Sequence, residues 1–316
     1  MENNGVVGGE PSLCTLHSDD ANHQAANLVN WDQQFDQLSH GRFLGVINEI
    51  HYPDVHVFRE DTSHVLRQQC RVEDGGLWIG FSADNKQCRI NNALPEGQQF
   101  LCRPGGLDFE LLTPDDFSIF GLVLHRSLMS ELEECEEEGC FSDADPQLWL
   151  EHISPLDLFR FREYLSILLN SEGNKWSSRT QQLILKDAIY DLLCQTKNHQ
   201  QTNVSVDQRH KVMSKVKLYL NESALHSPIT VSELCTAVHV SRRTLQNIFA
   251  QCCGMSPKQY ISFVRLNQVR RALLVADQTQ TVTDIAFDFG FFHLGQFGQD
   301  YKRLFGETPL QTLMRN

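Results

Sequence analysis

Residues 230–257, TVSELCTAVHVSRRTLQNIFAQCCGMSP, and residues 281–309, TVTDIAFDFGFFHLGQFGQDYKRLFGETP, are two copies of one pattern. Thr230-Val-Ser-Glu-Leu-Cys returns fifty-one residues later as Thr281-Val-Thr-Asp-Ile-Ala, matched class for class. Further on the offset is fifty-two: Leu245 corresponds to Phe297, Phe249 to Tyr301, Gly254 to Gly306, Ser256 to Thr308 and Pro257 to Pro309. The slip falls in the middle of each copy, where a turn absorbs an extra residue. Each copy therefore reads as helix, tight turn, helix.

In the first copy Val231, Leu234 and Val238 share one helix face, His239 and Val240 make the turn, and Ser241 is placed to cap the next helix. Leu245, Ile248 and Phe249 face inward, which leaves Arg242, Arg243, Gln246 and Asn247 outward at the start of the second helix. These side chains match base edges in a major groove: Arg pairs with the acceptors of guanine, Asn and Gln with the acceptor and donor of adenine. In the second copy Ile285 and Phe289 face inward, Gly290-Phe291 turns, and Phe297, Tyr301 and Leu304 anchor the second helix. His293, Gln296 and Gln299 are left outward as base readers. Phe292-His293 offers no good cap, and Gly295 and Gly298 each cost about 1 kcal/mol relative to Ala, so this unit is expected to be the weaker reader.

Between the copies, PKQYISFVRLNQVRRALLVA carries Tyr260, Phe263, Val264, Leu266, Val269, Leu273 and Leu274 at helical spacing and predicts one long connecting helix. Arg265, Arg270, Arg271, Lys302 and Arg303 are the candidate phosphate contacts. Residues 209–316 hold 13 Lys and Arg against 7 Asp and Glu, while residues 1–208 hold 14 against 33, giving +6 and −19. A basic C-terminal third on an acidic remainder is the charge layout of a nucleic-acid-binding part joined to a sensing part.

On VSRRTLQNIF, GMSPKQYI, RLNQVRRALL, VTDIAFDFGF and QFGQDYKRLFGETP, residues 209–316 closely resemble the DNA-binding domain of the AraC/XylS family of transcription regulators. The resemblance implies about seven helices, a bipartite site in the major groove of double-stranded promoter DNA, and activation through contact with RNA polymerase. RPGGLDFELLTPDDFSIFGLVL, together with SRRTLQN and FFHLGQF, is similar to the ethanolamine-utilisation operon regulators within that family. That likeness implies ethanolamine or adenosylcobalamin as effector.

Upstream, residues 1–27 lack periodicity and read as a flexible arm. From Phe43 to Leu124 short apolar runs alternate with turn signals, as in FLGVINEI, VHVF, HVLRQQCRV, LWIGF, FELL and FSIFGLVL, which predicts a small antiparallel barrel or sandwich. LDLFRFREYLSILL and RTQQLILKDAIYDLL follow at helical period as a helical pair, whose Leu158, Phe161, Leu165 and Leu168 are expected to exceed what the barrel covers and to make a homodimer contact. The acidic run Glu131, Glu133, Glu134, Glu136, Glu137, Glu138 reads as a solvated helix face. NHQQTNVSVDQ is the best linker. The expected organisation is thus α+β: an arm over 1–27, a sensing and dimerisation domain over 28–198, a linker over 199–208 and an all-α double helix-turn-helix domain over 209–316. The resemblance makes the second of these cupin-like.

Ten cysteines without metal or disulfide spacing, no export signal and no membrane-length apolar run predict a reduced, cytoplasmic protein without a membrane partner. Cys252 and Cys253, at the end of the first reading helix, read as buried and unreactive. His51, His56 and His64 lack the HxH of a cupin metal motif, so no metal or other cofactor is assigned. No catalytic residue is assigned either. A metal-dependent enzymatic front domain stays an alternative, though neither a metal triad nor a nucleophile motif is legible. A regulator without an effector, like some virulence and quorum-sensing members of the family, is the other alternative.

Overall fold

The computed structural model describes residues 11–84, 86–94, 99–134, 149–170, 177–196, 208–222, 229–277 and 279–315. The front part begins with β1 (Cys14–Ser18), α1 (Ala21–Ala26), β2 (Trp31–Gln37), β3 (Gly45–His51), β4 (Val55–Thr62) and β5 (Leu66–Val72). It continues with β6 (Leu77–Ser82), β7 (Arg89–Ile90), β8 (Gln99–Pro104), β9 (Phe109–Thr113) and β10 (Phe117–Leu124). One sheet runs β1-β3-β4-β10-β6-β8 and ends on β11 (Trp149–His152); the other runs β2-β5-β9-β7. All pairings are antiparallel among the described strands.

The strand β10, FSIFGLVL, is buried at every position, and period-two geometry explains why a continuous apolar run sits there. Phe117, Ile119 and Val123 face the second sheet, in a core with Phe35, Trp78 and Leu111. Phe120, Leu122 and Leu124 face the other way, onto α3 (Pro155–Leu168) and α4 (Ser178–Thr196). Gly121 lies in register with Gly80, and a Cβ on Gly121 would come within 2.1 Å of the Phe58 ring. The strand carries glycine there because an aromatic ring crosses it.

Two expectations are corrected. Residues 14–26, placed in a flexible arm, instead form β1, paired with β3, and α1, which buries Ala21 and Ala25. Asp20 caps α1, accepting from the backbone N–H groups of Asn22 and His23 at 2.7 and 3.3 Å. Tertiary pairing orders a segment whose composition signals no order. Leu158, Phe161, Leu165 and Leu168 do not protrude: all four are buried against β6, β10 and α4 within the one chain. The outer faces of α3 and α4 carry Leu156, Phe159, Ile167 and Leu183 exposed instead.

The acidic run begins in α2 (Arg126–Glu134), and the rest of it lies outside the described residues, as does the expected linker before Gln208. The C-terminal part comprises α5 (Gln208–Glu222), α6 (Val231–Ala237), α7 (Arg242–Cys253), α8 (Pro257–Leu274), α9 (Val282–Asp288), α10 (Leu294–Phe305) and α11 (Pro309–Leu313). Its core takes in Leu38 from the front part, with Val65 and Leu112 packed against it. No described helix is long and apolar enough to cross a membrane.

Candidate nucleic-acid interface

Local signals build each half of the repeat. Thr230 accepts from the Glu233 backbone N–H while the Glu233 carboxylate accepts from the Thr230 N–H, a reciprocal capping box that starts α6. Thr281 and Asp284 do the same for α9. The turn after α6 passes through His239 at φ +55°, and that after α9 through Gly290 at φ +71°. The left-handed conformation that closes both units is thus taken once by glycine and once by a bulkier residue.

The helix α7 starts on Ser241, whose hydroxyl accepts from the Thr244 N–H at 3.1 Å. Leu245, Ile248, Phe249 and Cys252 are buried, and the Phe249 ring meets Tyr260 of α8 edge-on, centroids 5.3 Å apart. Arg242, Arg243, Gln246 and Asn247 all lie exposed. Hence the same period that buries the anchors presents the four candidate readers on one outer surface. Neighbouring Cys253 is half-buried, and burial pushes its thiol up to about 12.

The helix α10 repeats the design with a poorer start. His293 occupies the N-cap without a side-chain hydrogen bond, while Phe297, Tyr301, Leu304 and Phe305 anchor the buried side. His293, Gln296 and Gln299 are exposed, and the Gln296 amide donates to Asp300 Oδ1 at 2.9 Å. Lys302 and Arg303 are also exposed, in the last turn.

The other three expected phosphate contacts are placed differently. Arg270 is 4% exposed and donates to Asp20 Oδ2 at 2.5 Å and Glu307 Oε1 at 2.8 Å, its guanidinium 4.6 Å from the centre of the Phe305 ring. Burial alone would raise the Asp20 carboxyl, but attraction and hydrogen bonding from Arg270 outweigh it and hold the group below its ordinary value. Arg271 pairs with Asp36 of β2 at 2.7 Å, and Arg265 donates to the Phe289 carbonyl and covers the Phe291 ring. Helical spacing places a cation on a helix but says nothing of a second domain covering that face.

Sequence reasoning missed this second surface. The front part clamps α8: Asn267, fully buried, accepts from the Gln37 backbone N–H and donates to the Gln37 carbonyl, both at 2.9 Å. Arg67 bridges Asp36 and Glu110, and Glu110 also takes Lys217 of α5. The polar string WDQQFDQ is buried at Asp36 and Gln37, which take Arg271 and Asn267, more than two hundred residues away, among their partners. Elsewhere, His51 and His56 converge on Glu49, whereas His64 bonds Ser63 Oγ and the His40 carbonyl.

A family model described as a helix-turn-helix domain matches residues 234–315. The XylDLEGF operon transcriptional activator of Pseudomonas putida is 37% identical over 93 residues, 29% of this chain and 29% of that protein. The probable thc operon regulatory protein of Rhodococcus erythropolis is 37% identical over 93 residues, 29% of this chain and 28% of that protein. The C-terminal part carries a helix-turn-helix domain similar to those of these operon regulators. The match spans less than a third of the length of these two relatives. The crystal structure of a probable AraC family transcriptional regulator from Rhodopseudomonas palustris is 33% identical, covering 33% of this chain and 96% of that one, with a TM-score of 0.31. Within the helix-turn-helix domain of this chain, α6–α7 and α9–α10 are the two helix-turn-helix units and α8 is the bar between them.

Proposed function

We propose that this chain is a sequence-specific transcription regulator that grips promoter DNA with α7 and α10 in adjacent major-groove turns, and that it acts as an activator through contact with RNA polymerase. The observation that carries this reading is the pair of like-built units with Arg242, Arg243, Gln246, Asn247, His293, Gln296 and Gln299 all exposed on their second helices. Successive major grooves on one side of a duplex lie about 34 Å apart, so one chain covers nearly two turns of an asymmetric site. Lys302 and Arg303 supply phosphate contacts. The front part acts as sensor rather than enzyme, and the protein works in the cytoplasm. A binding titration against a randomised-site library at two salt concentrations tests the reading. A salt-dependent affinity with no sequence preference would overturn it.

The same reading makes the protein a homodimer through the exposed outer faces of α3 and α4, where Phe159 is 58% exposed and Leu156, Ile167 and Leu183 lie uncovered. Sedimentation is expected to give a dimer for the full chain and a monomer for Phe159→Glu; a dimeric Phe159→Glu chain would remove this interface. Ethanolamine or adenosylcobalamin as effector rests on the likeness around residues 103–124. A melting temperature unmoved by millimolar ethanolamine and by adenosylcobalamin would discard both and leave the regulator reading intact.

A further inference from the structure

The β3–β4 hairpin brings three donor side chains to one end of the front part. Glu49 and His51 are two residues apart on β3 and so share a face, and His56 is the cross-strand partner of His51. The result is a cluster no short motif encodes: Nε2 of His51 lies 3.3 Å, and Nε2 of His56 2.9 Å, from the same carboxylate oxygen, Glu49 Oε2. The three donor atoms all lie within 4.8 Å of one another.

The geometry points to a site for one divalent first-row transition metal of the zinc class, held by Glu49, His51 and His56. Bonds of about 2.0–2.1 Å to nitrogen and oxygen in a tetrahedral shell set the donors about 3.3–3.4 Å apart, close to the two spacings from Glu49 Oε2. Two imidazoles and a carboxylate form the donor set that suits zinc, cobalt or nickel over calcium or magnesium. Hairpin anchors hold the donors from outside. Tyr52 N–H donates to the Val55 carbonyl at 2.9 Å across the turn, and Asp54 at its tip is held by Lys186 at 2.7 Å and Gln182 at 2.9 Å. Glu49 and His56 are buried, so two of the three ligands arrive preorganised.

One adjustment is required. The two imidazoles are stacked, centroids 3.9 Å apart and planes 11° from parallel, so an ion between their Nε2 atoms would lie off the ring planes. The His51 side chain is 45% exposed and turns out of the stack without disturbing the core. Three protein ligands leave a coordination position open, and the cluster borders a cavity of about 350 Å³ lined also by Trp31, His125 and Arg126. That position is the place for water or a small oxygen-donor ligand. The competing explanation is a hydrogen-bonded trio that holds no ion.

The test uses the untagged full chain after chelator treatment, titrated with Zn²⁺ by calorimetry and with Co²⁺ by visible absorption. The expected result is one ion bound per chain through this cluster, with an affinity at least about tenfold lower in His51→Ala and in Glu49→Gln and unchanged in His64→Ala. Because His51 is exposed, His51→Ala keeps the fold, and its melting temperature should no longer respond to Zn²⁺. The Co²⁺ spectrum should lack thiolate-to-metal charge transfer, which would betray binding at cysteines instead. A parent chain that binds no ion, a His51→Ala chain that binds as the parent does, or a charge-transfer band in the parent would each overturn the proposal.

Discussion

At the residue scale, three cations of equal charge, on α7, α10 and α8, have different work. Arg243 is exposed on α7, and Arg243→Ala is expected to cost about 1–3 kcal/mol of binding and to relax preference only at the segment read by α7. Lys302→Ala should weaken every sequence alike and lower the salt slope by about one unit. Arg271, tied to buried Asp36, should do neither: Arg271→Ala is expected to lower stability with the salt slope kept. Titration of the three variants at two salt concentrations separates these outcomes, and a lowered slope for Arg271→Ala would return that residue to the phosphate contacts. Glu60 offers a different handle. It sits buried between the amides of Gln24 and Gln68, each donating at 3.1 Å, and burial pushes its carboxyl up to about 7 despite them. Between an ordinary value of 4.5 and 7 the folded chain binds the extra proton, so this contribution to stability is full below that window and is lost as pH rises through it. Glu60→Gln should remove up to about 3 kcal/mol of stability loss between pH 4 and pH 8, read by urea unfolding at each pH. Equal losses in parent and variant would show that another group titrates.

At the element scale, α7 and α10 differ in how they begin and in what their backbones expose. Ser241→Ala removes the side-chain cap at the start of α7 and should cost about 1 kcal/mol. In α10 a Cβ added at Gly295 or Gly298 meets nothing within 4 Å, so Gly295→Ala and Gly298→Ala should each raise stability by about 1 kcal/mol in thermal unfolding. A stabilised variant that binds its DNA less well would show that the glycine backbone approaches the duplex; unchanged stability would show that α10 does not feel its glycines. These elements were legible because their determinants are local. Caps, anchors at helical spacing and a left-handed turn residue all fall within one copy of the repeat. The same holds for β3, β4, β6 and β10, whose apolar runs stand between turn signals. By contrast β1, α1 and β2 are polar, and the buried Asp20, Asp36 and Gln37 draw on Arg270, Arg271 and Asn267 of the C-terminal part.

At the scale of the whole molecule, the front part and the helix-turn-helix domain share buried charge. Asp36→Ala would leave the Arg271 guanidinium without its carboxylate and Arg67 with Glu110 alone, at an expected cost of about 3 kcal/mol. Calorimetry is expected to show the unfolding of the two parts drawn apart in this variant relative to the parent; a trace identical to the parent's would mean that the pair does not couple them. The repeat, the outward faces of α7 and α10 and the charge contrast between the two parts were determined by the sequence alone, since each depends on side chains a few residues apart or on a simple count. Which arginines remain outward, where residues 14–26 go, and the meeting of Glu49, His51 and His56 were decided only by the tertiary structure. Those outcomes turn on strand pairing and domain docking, which bring together residues whose separation along the chain carries no periodic signal.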